Sequence, residues 1–210
     1  MEDLPAKKCR CGAIENLIRC RDCFSADILC NRCCLDTHKY LPFHRLQQWN
    51  GNFFAATSLY AKGHIIYLGH GGTPCHNNYS AALDINKDGY VEEVDLDWED
   101  MDEEEDMVAA YEDEEAKVEV VEDVMVLVHT TGIFQHRVRW CTCVGCPERH
   151  IQLLHMDLFS CSIKRPRTAF TFDVLDHYYA DAMECKTSGK SFYSKLQRLT
   201  NNAFPYMVPV

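Results

Sequence analysis

Eight cysteine and histidine residues fall into four pairs within residues 9–44, and this is the strongest constraint on the fold. They are Cys9, Cys11, Cys20, Cys23, Cys30, Cys33, His38 and His44. A structural zinc ion takes four cysteine or histidine ligands in a tetrahedron, so two closed sites would use all eight. The apolar residues between these ligands are too few to form a core that folds alone. We therefore predict a two-zinc module in which metal binding supplies folding free energy.

Cys34 is a spare thiol in this module. It could replace Cys33, but two cysteines separated by two residues bring both sulfurs to one metal, and adjacent cysteines generally do not. The chain has 13 cysteines, with no apolar run behind Met1 that would direct secretion and none long enough to span a membrane. We therefore expect a reducing compartment, where clustered thiols are metal ligands more often than disulfides.

Cysteines farther along the chain provide a third set of ligands. Cys75 stands alone locally, and its distant partners would be Cys141, Cys143 and Cys146, which make four thiolates in all. A zinc site of this kind would join the two segments that carry these cysteines. Alternatives for the fourth ligand are His70, His76 and His150. A competing interpretation, in which Cys75 and Cys146 are small core residues, stays open.

One acidic segment accounts for the net charge of -11. Of the 32 acidic and 21 basic residues, 20 and 2 lie within residues 84–123, a charge of -18, which leaves 12 acidic and 19 basic residues elsewhere, a charge of +7. A block of like charges repels itself and buries little, so we predict a disordered insertion. Residues 84–95 begin like an EF-hand loop, but Asp95 stands where a glutamate is usual, and we do not expect Ca²⁺ to bind there.

The remaining segments predict an α+β fold. Apolar periodicity predicts helices at residues 52–61, 151–159, 172–185 and 191–201. A buried strand is predicted at residues 65–68, and alternating apolar residues predict a hairpin at residues 124–140 that ends beside Cys141. His129 and His136 are expected on the faces of these strands and not at a metal.

Basic residues gather toward the C-terminal end of the chain. They are Lys164, Arg165, Arg167, Lys186, Lys190, Lys195 and Arg198. Such residues form either a solvated face or a face that contacts phosphates. The sequence alone leaves both interpretations open.

The spacing of the first eight ligands, C-x-C-x8-C-x2-C-x6-C-x2-C-x4-H-x5-H, resembles that of a B-box zinc finger. The resemblance implies a cross-brace, in which the first and third pairs share one metal and the second and fourth pairs share the other. The first metal would be held by Cys9, Cys11, Cys30 and Cys33. The second would be held by Cys20, Cys23, His38 and His44. Sharing of the pairs in sequential order is the alternative.

Four stretches carry longer motifs. They are RC-x2-C…C-x2-C…H…PFHR-x3-WNG-x-FF at residues 19–54, I-x-LGH-x-G-x2-C at 66–75, TTGIF…C-x-C at 130–143, and QLL…LF…P-x-TAFTF-x-VL…FY-x-x-L-x-R-LT at 152–200. Together they resemble the CxC2-like cysteine cluster domain associated with KDZ transposases, those of the Kyakuja, Dileera and Zisupton mobile elements.

This resemblance implies a nuclear, zinc-stabilised domain that normally precedes an RNase H-like catalytic domain and serves DNA binding or assembly of the transposase complex. We expect a two-zinc module at residues 1–48, the remainder of the domain at 49–83 and 124–203, and the acidic insertion at 84–123. The insertion is longer than the connection expected in the family. No set of acidic residues follows residue 200, so we expect no transposase activity from this chain.

Two other classes of function compete with this one. The first is a B-box-like adaptor that binds proteins and not DNA, since such folds mostly present surfaces to other proteins. The second is an enzyme, which we do not expect because cysteine-rich ligation favours closed sites and no nucleophile motif is present. The expected partners are DNA and a transposase catalytic domain or another nuclear protein, with neither a membrane nor a small-molecule substrate.

Overall fold

A computed structural model describes residues 8–25, 27–76 and 123–208 and shows a mixed α+β architecture. The predicted acidic insertion therefore lies outside the described residues, apart from Asp123, and so does the EF-hand-like segment 84–95. No helix in the described ranges is long and apolar enough to cross a membrane.

The first sheet is antiparallel and contains four short strands in the order β2-β1-β3-β4. Its strands are β1 (Ile18–Cys20), β2 (Ile28–Leu29), β3 (Leu46–Trp49) and β4 (Phe54–Thr57), and the helix α1 (Asn31–Thr37) lies between β2 and β3. The predicted boundary after residue 48 falls within β3. The small core of this sheet includes the buried Leu17, Ile18, Leu46 and Leu59 together with Cys9 and Cys34.

The helix predicted at residues 52–61 is wrong, because β4 occupies part of this segment. The Oδ1 atom of Asn50 accepts hydrogen bonds from the backbone N–H groups of Asn52 and Phe53, and Gly51 has a φ of +99°. This turn sends the chain back along β3, where Trp49 pairs with Phe54 and their rings lie 5.2 Å apart. A short apolar run fits either period, and here strand pairing decides.

The second sheet contains five strands in the order β5-β7-β6-β9-β8. They are β5 (Ile65–Tyr67), β6 (Asp123–His129), β7 (Gly132–Arg139), β8 (Leu158–Ser160) and β9 (Thr168–Thr171). The pairs β5–β7 and β6–β9 are parallel, and the others are antiparallel. The predicted strand at 65–68 and the predicted hairpin are confirmed.

Three helices follow the hairpin, namely α2 (Arg149–Leu154), α3 (Phe172–Cys185) and α4 (Gly189–Thr200). Side chains of Thr171 and Ser188 cap α3 and α4, each by accepting a backbone N–H from the first helical turn. The helices predicted at residues 172–185 and 191–201 correspond to α3 and α4. The helix predicted at 151–159 is wrong in its second half, because Asp157 has a φ of +56° and Leu158 begins β8.

Two apolar clusters cover the faces of the second sheet. One contains Leu68, Met125, Leu127, Val138, Trp140, Leu153 and Ala169, and the other places Val174, Phe192 and Leu196 of α3 and α4 against Val128 and Ile133. Leu199 of α4 is 44% exposed.

Ring contacts and hydrogen bonds join the parts of the chain that carry the two sheets. The Phe43 ring stacks on His129 with centroids 4.4 Å apart, and the Thr131 hydroxyl donates to the backbone carbonyl of Phe43 at 3.2 Å. The guanidinium of Arg137 donates to the backbone carbonyl of Tyr60 at 3.1 Å. These contacts place the cysteine-rich module, residues 8–48, and the segment after it that contains Tyr60 against the hairpin of β6 and β7.

Candidate metal centres

The first group of ligand-type atoms comes from Cys9, Cys11, Cys30 and Cys33, whose sulfurs all lie within 4.8 Å of one another. The Sγ atoms of Cys11 and Cys30 are 3.6 Å apart. A tight turn with Gly12 at a φ of +94° folds the Cys9 end back, and its N–H donates to the Cys9 carbonyl at 2.7 Å. Cys30 and Cys33 enter the group from the start of α1. The group is therefore built from one turn and one helix end.

Backbone amides favour the charged form of one thiol in this group. The N–H groups of Cys11 and then Cys30 donate to the Cys9 sulfur and lower its pKa to about 6. By contrast, hydrogen bonding to Cys9 and then Cys30 raises the pKa of Cys33 to about 12. When no cation is near, ionisation of one thiol makes ionisation of its neighbours unfavourable. A bound divalent cation would stabilise all of the thiolates.

The second group contains Cys20, Cys23, His38 and His44, again within 4.8 Å of one another. The Nδ1 atom of His44 lies 3.4 Å from the sulfurs of both cysteines, and the Nε2 atom of His38 lies 3.4 Å from the Cys23 sulfur. The backbone N–H groups of Asp22 and Cys23 point at the Cys20 sulfur, at 3.4 and 3.3 Å. These amides would stabilise a thiolate there.

A hydrogen bond behind His38 sets the orientation of its ring. The Nδ1 atom donates to the backbone carbonyl of Cys34 at 2.8 Å, which leaves Nε2 directed at the Cys23 sulfur. Metal-binding histidines commonly have such a carbonyl partner on the second ring nitrogen. The spare thiol of Cys34 is buried 3.7 Å from the same Nδ1 atom and belongs to neither group.

The third group joins residues from the two sides of the segment that the structure leaves undescribed. It contains His70, Cys75, Cys141 and Cys143 within 4.8 Å of one another. The Cys75 sulfur lies 3.9 Å from that of Cys141 and 3.3 Å from that of Cys143. The Nε2 atom of His70 lies 3.3 Å from the sulfurs of both Cys141 and Cys143.

The fourth member of this cluster of atoms is His70, one of the alternatives, and Cys146 is not among the four. The backbone N–H of Cys146 donates to the Cys143 carbonyl at 3.0 Å, so Cys146 closes a turn beside the group. The ring of His76 lies 5.8 Å from that of His70, and the His150 ring faces Glu148. Neither histidine is a member of the group.

The sheet explains why His70 and Cys141 meet. Because β5 and β7 are parallel, their C-terminal ends lie at the same edge, where the residues that follow each strand come together. Gly69 makes the approach possible, since a Cβ on it would lie 2.8 Å from the Cys141 Cβ. The parallel pairing was not predicted, and it is the signal that would have favoured His70.

The distances within the groups fit a tetrahedral metal. With Zn–S bonds of about 2.3 Å and Zn–N bonds of about 2.0–2.1 Å, a tetrahedron has S–S edges of about 3.8 Å and S–N edges of about 3.6 Å. The quoted separations of 3.3–3.9 Å lie close to these edges. A disulfide would require sulfurs about 2.05 Å apart, and no disulfide joins these cysteines in the part of the chain that the structure describes.

Each group offers four donors, all of them thiolate sulfur or imidazole nitrogen. This donor set suits Zn²⁺ and fills its four positions, which is the arrangement of a structural site and not of a catalytic one. The three clusters could therefore hold metal ions. The grouping of the first eight residues, with first and third pairs together, is the one that the B-box resemblance implies; the B-box fold itself stays a prediction.

The comparison with family models gives one match. Residues 110–204 match the model described as "CxC2 like cysteine cluster associated with KDZ transposases". The match includes Cys141 and Cys143 and two of the four motif stretches, and it confirms the resemblance for that part of the chain. The stretches at 19–54 and 66–75 lie outside it. No curated protein and no solved structure matches the chain.

Proposed function

We propose that this chain, with its CxC2-like segment, is a zinc-stabilised and non-catalytic part of a KDZ-transposase-like protein that binds DNA or assembles the transposase complex in the nucleus. Three four-donor groups carry the proposal, because each supplies a complete set of zinc ligands. The family description names a cysteine cluster associated with transposases and not the catalytic unit.

Zinc bound in the first two groups would supply most of the free energy that folds the N-terminal module. Its buried apolar residues are few, and sulfurs of the same groups complete the cluster in which they pack. A core of this size does not stabilise a fold by itself, so metal binding would supply the missing free energy. The third zinc would hold β5 and β7 together where they end.

DNA binding is supported by charge. Outside residues 84–123 the chain carries a charge of +7, and basic side chains from both halves of the described structure line one groove. Phosphate contacts by lysine and arginine dominate the affinity of such proteins. DNA binding should therefore weaken steeply as salt is raised.

A protein-binding adaptor is the second candidate, and exposed apolar side chains beside the metal groups favour it. Phe24 directly follows Cys23, and Val144 directly follows Cys143, and both side chains are fully exposed. Exposed apolar groups on a rigid frame are typical of protein contacts. Capture of a partner that survives nuclease treatment would favour this function over DNA binding.

Elemental analysis of the purified chain tests the proposal. Three zinc ions per chain are expected, and a strong chelator should unfold the N-terminal module, as followed by circular dichroism. Two zinc ions would leave the third group as ordinary core, and a fully folded chain without metal would overturn the proposal. Binding to a DNA duplex at low salt, measured by fluorescence anisotropy, tests the proposed DNA binding separately.

A further inference from the structure

An open groove of about 890 Å³ lies between the second metal group and α4. We infer that this groove binds the phosphodiester backbone of a nucleic acid, an inference that rests on the DNA binding proposed above and gives it a location. The walls come from parts of the chain far apart in sequence. Arg21 and Arg45 contribute from the cysteine-rich module, and Lys190, Lys195 and Arg198 contribute from α4.

The lining of the groove is chemically suited to phosphates. Five of its lining residues are basic, and no carboxylate lines it within the part of the chain that the structure describes. The remaining polar residues are Ser191, Ser194, Thr200 and Asn202. Hydroxyl and amide groups add hydrogen bonds to phosphate oxygens, while lysine and arginine supply the charge.

Two of the five cations are fixed in place by ion pairs. Arg45 binds Asp22 at 2.5 Å, and Lys195 binds Asp181 at 2.5 Å. Asp22 and Asp181 do not line the groove themselves. Their carboxylates orient the two cations and partly neutralise them. Burial opposes ionisation of Asp22, but the hydrogen bonds and charge of Arg45 outweigh it and lower the pKa of that carboxyl.

The other three cations are available to a ligand. Arg21, Lys190 and Arg198 are exposed, and none makes an ion pair with another residue in the described ranges. Gathering unpaired like charges in one concave surface is unfavourable, and a bound polyanion relieves it. A phosphodiester backbone passing along the groove would meet all three.

One wall of the groove adjoins the second metal group. Arg21 directly follows Cys20, Arg45 directly follows His44, and the backbone N–H of Arg21 donates to the Arg45 carbonyl at 2.9 Å. The opposite wall is held where the Thr200 hydroxyl accepts the backbone N–H of Ile133 at 2.7 Å. The pairing of β1 with β3 and the docking of α4 thus bring the charges of the two walls together.

A second basic run provides a matched control. Lys164, Arg165 and Arg167 lie on the exposed connection between β8 and β9 and do not line the groove. Neutralising three residues in either place changes the net charge equally. A difference between the two variants therefore reports position and not total charge.

The experiment compares the triple variant Arg21→Gln, Lys190→Gln, Arg198→Gln with the control Lys164→Gln, Arg165→Gln, Arg167→Gln in the zinc-loaded full chain. Binding to a labelled DNA duplex is measured by anisotropy over a series of salt concentrations. We expect the groove variant to bind about tenfold more weakly. The slope of log K against log salt should become shallower by about 2 to 3, while the control changes little. The charge-preserving triple Arg21→Lys, Lys190→Arg, Arg198→Lys should retain binding.

Zinc content and circular dichroism establish that each variant is folded. The pair Lys190→Gln, Arg198→Gln repeats the test without altering the metal module, so a folding defect at Arg21 does not decide the result. Binding to a single-stranded RNA of equal length shows whether the groove takes RNA as well as duplex DNA. Loss of binding to either nucleic acid in the groove variant, but not in the control variant, supports the site. Equal weakening in the groove and control variants would overturn the location while leaving DNA binding intact. Absence of binding by the unaltered chain would overturn the DNA function itself.

Discussion

The sulfur of Cys75 lies 3.9 Å from that of Cys141, although 66 positions of sequence separate the two residues. Most of that interval is the acidic segment, so the pair brings the two flanks of a highly charged stretch to one point. The parallel pairing of β5 with β7 ends at the same place. A metal at this point would connect the two halves of the chain much as a disulfide would, and several consequences can be measured.

Replacing Cys75 by alanine should remove one zinc ion per chain and leave the other two. The free energy of unfolding should fall by roughly 3–5 kcal/mol, the range expected when a cross-link that closes a long loop is lost. Zinc content and denaturant unfolding measure the two effects. Cys185→Ala is the control, because that cysteine is exposed and outside the three groups. Unchanged zinc content in Cys75→Ala would show that the third group is ordinary core.

Gly69→Ala should weaken the third group without touching a ligand. The new Cβ would lie 2.8 Å from the Cys141 Cβ, and the φ of +89° is itself strained for alanine. The chain would have to move His70 away from Cys141. Chelator-driven zinc loss should therefore be faster, and unfolding should require less denaturant.

Gly71→Ala separates the two causes. Gly71 lies in the same loop with a φ of +62°, but a Cβ there would meet nothing within 4 Å. Gly71→Ala should lower the free energy of unfolding by only about 1 kcal/mol, because alanine is strained at a positive φ. Gly69→Ala should lower it by roughly 2 kcal/mol more. Equal effects of the two substitutions would mean that the close approach to Cys141 does not matter.

The chemistry of the metal groups could be predicted from sequence because it depends on residue type and short spacing. Two residues between Cys30 and Cys33 are enough to indicate a shared metal. The choice between His70 and Cys146 depends on strand order, which spacing does not encode. The helix predicted at 52–61 failed for a related reason, since Phe54 finds a strand partner in Trp49 that local periodicity cannot reveal.

Acid should destabilise the fold through the buried ring of His136. Burial, together with the nearby His64, lowers the pKa of His136 to about 3, against an opposing effect of the Pro42 carbonyl. The unfolded chain takes up a proton near pH 6.5 and the folded chain does not, so the stability linked to this ring is lost as pH falls from about 6.5 toward 3. Between pH 7.5 and 5 the loss should be about 2 kcal/mol.

The variant His136→Gln should remove this part of the pH dependence. Acid also protonates the metal-binding thiols, but that effect is common to both proteins and cancels in the comparison. Urea unfolding at the two pH values gives the difference. The control is His155→Gln, which alters an exposed histidine on the surface. If His136→Gln loses as much stability on acidification as the unaltered chain, the buried ring is not the cause.

Neutralising part of the acidic segment should strengthen DNA binding. Changing Asp102, Glu103, Glu104, Glu105 and Asp106 to their amides shifts the net charge from -11 to -6. These residues lie outside the described part of the chain, so the prediction rests on charge alone. Less repulsion of the phosphate backbone should raise the affinity several-fold at low salt, with a smaller gain at high salt where the charges are screened. Exchanging aspartate for glutamate and glutamate for aspartate at the same five positions keeps the charge and should leave the affinity unchanged. An equal gain in both variants, measured by anisotropy on one duplex, would exclude electrostatic repulsion as the cause.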